Sequence, residues 1–206
     1  HNSIHAADVT QSCLVYVKYS NLSEALMLQP IDLMCLYMSA IVHDFKHPGL
    51  NNNYLINSQS DVAITYNDNS VLENFHIAEA FKLINSESRY NIFSNYKADE
   101  VKNIRKRMVN MVLNTDMMFH GKLLGILKSK VESCQDVNTM DSSNLFNHQQ
   151  DYLNNILHAA DISNAAKPTN VYIKWAEKVI NEFWQQGDLE KEKKLPISFL
   201  CDRETV

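Results

Sequence analysis

Glycine and proline are scarce in this 206-residue chain, at four each, and stretches in which Val, Ile or Thr alternate with polar residues are missing. Sandwiches and barrels depend on such turns and alternation, so the sequence predicts an all-α protein. Cysteine is sparse as well. Cys13, Cys35, Cys134 and Cys201 are scattered without close pairing, which suits neither a disulfide framework nor a cysteine-based zinc site and points to a reducing, cytoplasmic setting. Positive charge is not concentrated anywhere: the formal net charge is -5 with dispersed basic residues, so no nucleic-acid partner is expected. There is no secretory leader and no membrane segment. The chain opens on a histidine and stops at Thr205-Val206, which reads as a piece of a longer protein, so tethering by other regions stays open. Oligomeric state is not legible.

What is present is a 45% apolar composition and a length suited to one core, hence one domain over residues 1–206. Leu33, Leu36, Tyr37, Ala40 and Ile41 recur at helical spacing, and the stripe continued by one turn reaches Asp44, beside His43. A carboxylate at the inner end of an apolar stripe needs a partner, which could be a metal ion or the neighbouring histidine at a helix end. His47 follows three residues on, and Pro48-Gly49 stops the helix. His1 and His5 stand one helical turn apart, able to bind one metal together or to divide binding and substrate contact between them. A second His and Asp, His158 and Asp161, again close an apolar helix formed by Leu153, Ile156, Leu157 and Ala160.

Other segments have ordinary structural readings. Ser70 and Glu73 form a capping-box signature, and His76 reads as a core histidine. Val101, Ile104, Met108, Met111, Val112 and Thr115 predict a core face on a helix whose outer face carries Lys102, Arg105 and Arg107. The Ser/Asn/Asp-rich stretch from Cys134 to Asn147 predicts a surface loop. Trp175, Val179, Ile180 and Phe183 form a helical stripe that Gly187 is expected to cap, with Asp188 to Lys194 as a solvated charge run.

Three groups of His and Asp at helix ends suit one N/O-liganded divalent ion, and a shared carboxylate would make the site binuclear. Such a pair suits phosphoryl chemistry without a Ser or Cys nucleophile. Six ordered segments then carry a resemblance to the catalytic domain of the class I cyclic-nucleotide phosphodiesterases, an HD-type group of metal-dependent phosphohydrolases. They are His1-Asn-Ser-Ile-His5-Ala-Ala-Asp-Val, His43-Asp-Phe-Lys-His47-Pro-Gly, Tyr66-Asn-Asp-Asn-Ser-Val-Leu-Glu73-Asn, Thr115-Asp116-Met117, His158-Ala-Ala-Asp161-Ile-Ser-Asn164 and Glu182-Phe183-Trp-Gln-Gln-Gly-Asp188.

The resemblance implies a multi-helix domain that hydrolyses a 3′,5′-cyclic nucleotide, cAMP or cGMP, to the 5′-monophosphate through a hydroxide activated by two metals. It implies His5, His43, Asp44 and Asp161 as ligands of a tight metal, zinc, with Asp44 bridging to a second ion, magnesium or alternatively manganese. His1 matches the general acid for the leaving 3′ oxygen, and Glu182 the carboxylate that orients it. His47, Glu73, Thr115 and Asp116 match residues around the metal-bound waters. Met117, Ile162, Asn164, Val179 and Phe183 match the nucleotide pocket. Phe75 stands where many relatives carry histidine, and Ala165-Ala166 where a pair containing proline is usual. The family's purine-binding glutamine and second clamp aromatic are expected beyond Arg203, and further helices upstream of His1. Two rival readings are another HD-type phosphohydrolase and a nucleotide-binding module without turnover.

Overall fold

A computed structural model describes residues 1–133 and 136–205; Cys134, Gln135 and Val206 lie outside the described residues. Within them the chain is all-α, as expected, with ten α-helices and no strand. The core forms where α1 (Ser3–Tyr19), α3 (Pro30–Val42), α7 (Ala98–Leu113) and α9 (Ser142–Asp161) pack together, with α6 (Val71–Ser86) laid against α7. It holds Val9 and Cys13 from α1 together with members of the predicted stripes: Leu36 and Ala40 from α3, Met108, Met111 and Val112 from α7, and Leu153 and Leu157 from α9, all without solvent exposure. The short α2 (Leu22–Ala25) links α1 to α3. A smaller cluster of Tyr54, Leu55, Ala63, Val71 and Leu72 joins α4 (Asn52–Asn57), α5 (Asp61–Thr65) and the start of α6. α8 (His120–Ser133) packs on α9, and α10 (Thr169–Glu192) follows it.

Local chemistry explains the main helix starts. The Asn2 side chain accepts from the amides of Ile4 and His5 at the head of α1, satisfying donors that have no helical partner. Pro30 occupies the first turn of α3, where its fixed φ and missing N–H cost nothing, and Asp32 Oδ2 accepts from Gln29 N at 2.9 Å. Asp141 caps α9 through the amides of Ser143 and Asn144.

Several expectations need correcting. The stretch expected as a loop contains the 3-10 turn Val137–Thr139, and α9 begins at Ser142, because Asp141 supplies a cap that the polar composition hides. Arg107 is not on an outer face: it is 5% exposed and its Nε lies 2.9 Å from Asp32 Oδ1, while its Nη2 donates to Gln149 Oε1 at 2.7 Å. The pair joins α3, α7 and α9 across the core. Ile41 is half exposed, so the inward row of α3 is Leu36, Ala40 and His43. Ser70 does not cap α6; it adopts a left-handed backbone, φ 40°, and its hydroxyl donates to Asp116 Oδ2 at 2.8 Å.

Gly187 does not end its helix either. α10 runs on to Glu192, and Gly187 is buried where the chain folds back, so that a Cβ there would lie 1.8 Å from the Cys201 carbonyl oxygen. The supposed charge run contains Glu190, which is fully buried and accepts from Gln186 Nε2, Ser198 N and Ser198 Oγ at 2.9, 2.8 and 2.6 Å. A carboxylate with three donors can be buried where a bare one cannot. Gly187→Ala is therefore expected to destabilise the protein by about 1–3 kcal/mol, the usual cost of overpacking. Chemical denaturation checks it; an unchanged midpoint would show that the segment around Cys201 yields freely.

Candidate metal-dependent active site

Each of the four predicted donors is placed by a buried neighbour. His5 lies four residues from Val9, Asp44 four from Ala40 and Asp161 four from Leu157, and all three neighbours have no exposure. Residues at that spacing share a helix face, so the packing that buries the stripe also points the donor row toward one spot. His43, fully buried, completes the set.

The donor atoms converge. His5 Nε2 lies 2.9 Å from Asp161 Oδ1, 3.3 Å from Asp44 Oδ2 and 3.2 Å from His43 Nε2. His43 Nε2 lies 3.2 Å from Asp161 Oδ1 and 3.3 Å from Asp44 Oδ2. Four donors around one zinc-sized ion, each ~2.0–2.1 Å from it at tetrahedral angles, stand ~3.3 Å apart. The residues thus fit a divalent cation. His43 Nδ1 is 2.8 Å from the Ala40 carbonyl oxygen, an arrangement in which Nδ1–H donates outward and Nε2 turns its lone pair to the cluster.

The electrostatics point the same way. Burial alone would lower the His5 imidazole, but hydrogen bonds to Asp161 and Asp44 overcome it and hold it up at about 9. His43 is likewise raised against its burial, chiefly by the Asp161 charge. Burial would raise Asp44 and Asp161, yet the two imidazoles lower both, Asp44 well below the usual carboxylate range. Without a cation the cluster is held together by extra protons.

Around the donors the remaining predicted residues divide between two clefts that share His1 and Asp161. One, about 650 Å³, is bordered by Ile162, Asn164, Val179, Glu182 and Phe183, with the Trp175 ring edge-on to His5 at 5.9 Å. The other, about 440 Å³, holds Asp44, His47, Glu73, Thr115, Asp116 and Met117. Met117 therefore lies apart from the other residues expected at the nucleotide pocket.

His1 stands where the clefts meet. Its Nδ1 is 2.5 Å from Asp44 Oδ2, and its ring stacks on His47 with centroids 3.8 Å apart. Glu182 Oε2 meets it at 2.7 Å, but through the amino nitrogen and not the imidazole. The His47 Nδ1 accepts from Gly49 N at 3.0 Å, in a turn where Gly49 adopts φ 74°, a conformation open to glycine without strain. Burial, opposed by Asp44 but aided by His76 and other nearby positive groups, pushes the His47 imidazole down to about 4. Burial likewise pushes the Glu73 carboxyl up to about 7, against the hydrogen bond that Asn52 Nδ2 donates at 3.0 Å. Asp116 accepts from Met118 N at 2.9 Å and from Ser70 Oγ, and the Thr115 hydroxyl donates to the Val112 carbonyl at 2.7 Å.

Two participants were not singled out from sequence. Asn52 looked like part of a turn, yet it holds Glu73 and also accepts from Leu72 N at 2.9 Å. His76 looked like a satisfied core residue. Its Nδ1 pairs with the Phe45 carbonyl at 2.7 Å, but its Nε2 is buried without a hydrogen-bond partner, 4.0 Å from Asp44 Oδ1. Its spacing of three from Glu73 was the available signal.

A divalent cation entering the cluster at neutral pH is expected to displace the protons held by His5 and His43, about two per ion. Because both histidines are raised, apparent affinity should climb with pH and flatten only above the His5 value of about 9. Calorimetric titration of zinc in buffers of different ionisation enthalpy counts the protons. Release of none would mean that the cation binds elsewhere.

Comparison with known proteins agrees with this geometry. Residues 1–206 match the family described as 3′5′-cyclic nucleotide phosphodiesterase. The chain is 42% identical over 208 residues to 3′,5′-cyclic-AMP phosphodiesterase 4C of Rattus norvegicus, covering 100% of this chain and 38% of that protein. It is 40% identical over 207 residues to 3′,5′-cyclic-AMP phosphodiesterase, isoform F, of Drosophila melanogaster, covering 98% and 30%. The chain thus spans about a third of the length of these relatives. The crystal structure of the phosphodiesterase domain of Salpingoeca rosetta rhodopsin phosphodiesterase superposes with a TM-score of 0.86 at 30% identity, covering 98% of this chain and 59% of that one. On the whole-chain match and these identities, the chain belongs to the 3′5′-cyclic nucleotide phosphodiesterase family.

Proposed function

We propose that the full-length protein hydrolyses a 3′,5′-cyclic nucleotide to the 5′-nucleoside monophosphate. The observation that carries this is the converging set of His5, His43, Asp44 and Asp161 with His1 beside it, in a chain whose full length matches the family. The names of both relatives favour cyclic AMP as substrate; cyclic GMP is the second substrate to test.

In this reading His5, His43, Asp44 and Asp161 would hold zinc, and Asp44 would also serve a magnesium or manganese ion. When bound, such a metal pair supplies Lewis acidity at the phosphoryl oxygens and lowers the pKa of water enough to make a nucleophile at neutral pH. Orientation and proton delivery belong to the chain itself. With His1 Nδ1 turned to Asp44, its Nε2 is the nitrogen left to face substrate. His1 gives its proton to the ribose 3′ oxygen as the P–O3′ bond breaks, while the new P–O bond to the water-derived oxygen forms at phosphorus. Glu182, which borders the larger cleft beside His1, is the carboxylate placed to orient it. His47 stacks on His1, and burial holds its own imidazole low.

Glu73, Thr115 and Asp116 give the smaller cleft a polar wall suited to ordered water. Val179 and Phe183, one turn apart on α10, offer an apolar face to the base, with Ile162 and Asn164 at its side and Met117 across the reaction centre. The larger cleft is the one in which a cyclic nucleotide meets both His1 and these side chains.

Steady-state assay of the full-length protein with cAMP and cGMP tests the reading; absence of hydrolysis with zinc and magnesium supplied would overturn it. His5→Ala or Asp161→Ala should lose tight metal, because each opens a position in a closed donor set. Unchanged metal stoichiometry and affinity in both would remove them from that set. His1→Ala should keep its metal while kcat falls by roughly 10²–10⁴. A phosphodiester with a nitrophenolate leaving group should recover much of that loss, since it needs less protonation. Equal losses with both substrates would speak against the acid role.

A further inference from the structure

Asn164 sits in a short 3-10 turn, Ser163–Ala166, that joins α9 to α10, and both ends of this turn are fastened to α1. At one end the Ser163 hydroxyl lies 3.5 Å from Ser12 Oγ, with both serines buried. At the other, Lys167 Nζ donates to Asp8 Oδ1 at 2.9 Å and to Ser12 Oγ at 2.8 Å, and its backbone N–H donates to the Asn164 carbonyl at 3.3 Å. Lys167 borders neither cleft. Its ammonium offers three donors, two of which are committed to α1.

Two details make this more than a surface ion pair. Asp8 Oδ2 is buried without a partner, so Lys167 is the only cation paired with that carboxylate among the described residues. Asn164 Oδ1 is also buried without a partner. No hydrogen bond through that oxygen holds the Asn164 side chain. The anchor helix is the one that carries His5, three residues before Asp8. One element therefore carries a donor at the reaction centre and anchors the turn that holds Asn164 and follows Ile162, both of which border the larger cleft.

The geometry points to Lys167 as a positioning residue for the nucleotide base: with Asp8 and Ser12 it fixes the Ile162 and Asn164 wall relative to the reaction centre, without touching substrate. This rests on the cyclic-nucleotide reading. It predicts a separation that a merely structural role would not produce. A substrate with a base depends on the wall, whereas a phosphodiester without one, bis(4-nitrophenyl) phosphate, needs only the donor set.

The test compares Lys167→Met and Lys167→Arg in the full-length protein with both substrates. Lys167→Met is expected to raise KM for the cyclic nucleotide about tenfold, the scale of one charge-assisted contact, and to leave kcat within about twofold. Hydrolysis of bis(4-nitrophenyl) phosphate and zinc content should match wild type, and Lys167→Arg should restore most of the KM. Should the single variant fail to fold because Asp8 is left uncompensated, Asp8→Asn combined with Lys167→Met removes the buried charge and carries the same expectation. An unchanged KM for the cyclic nucleotide, or equal losses on both substrates, would overturn the positioning role. A wild-type protein inactive on cyclic nucleotides would overturn the functional reading itself.

Discussion

Two imidazoles and two carboxylates press their donor atoms together with separations of 2.9 to 3.3 Å in a largely buried space. Water cannot solvate such a group fully, and like charges at that range repel strongly. The arrangement is compatible with a cation at its centre or with protons shared between the partners, which the two carboxylates favour by raising His5 and His43. The surrounding helices have to withstand that tension. They do so because each donor lies within a turn of a residue packed without exposure in the main core, so misplacing a donor would require breaking the junction of α1, α3 and α9.

The helical class, the two helix ends carrying His and Asp with the His1 and His5 pair, and the main core stripes were legible in the sequence because periodicity and buried charge leave the same mark in one dimension as in three. What was not legible depended on long-range packing. Gly187 looks like a stop signal, yet its missing Cβ makes room for Cys201. Arg107 looks like a solvated residue beside Lys106 until Asp32, seventy-five positions earlier, meets it. Glu190 sits in a run of charges and is buried because Ser198 folds back onto it. Ser70 and Glu73 have the spacing of a cap, but Asp116 and Asn52 offer them better partners from other elements.

The two clefts differ in chemistry while sharing His1 and Asp161. The larger is bordered by Val179, Phe183 and Trp175, side chains with flat or apolar surfaces. The smaller is lined by Glu73, Thr115, Asp116 and a run of asparagines. An organic ring and a hydrated charge would sort themselves between such surfaces, and in the proposed reaction the phosphate would lie between them. Glu73 at about 7 and His47 at about 4 show how far burial has moved ordinary groups on the polar side. Departures of that kind are common where proton transfer or charge stabilisation is at work.

The central claim is that one divalent ion is held by His5, His43, Asp44 and Asp161. X-ray absorption at the zinc edge of the zinc-loaded full-length protein tests it most directly. The account predicts two imidazole nitrogens together with carboxylate oxygens and no sulfur. A thiolate ligand, or a spectrum of water oxygens alone, would contradict it.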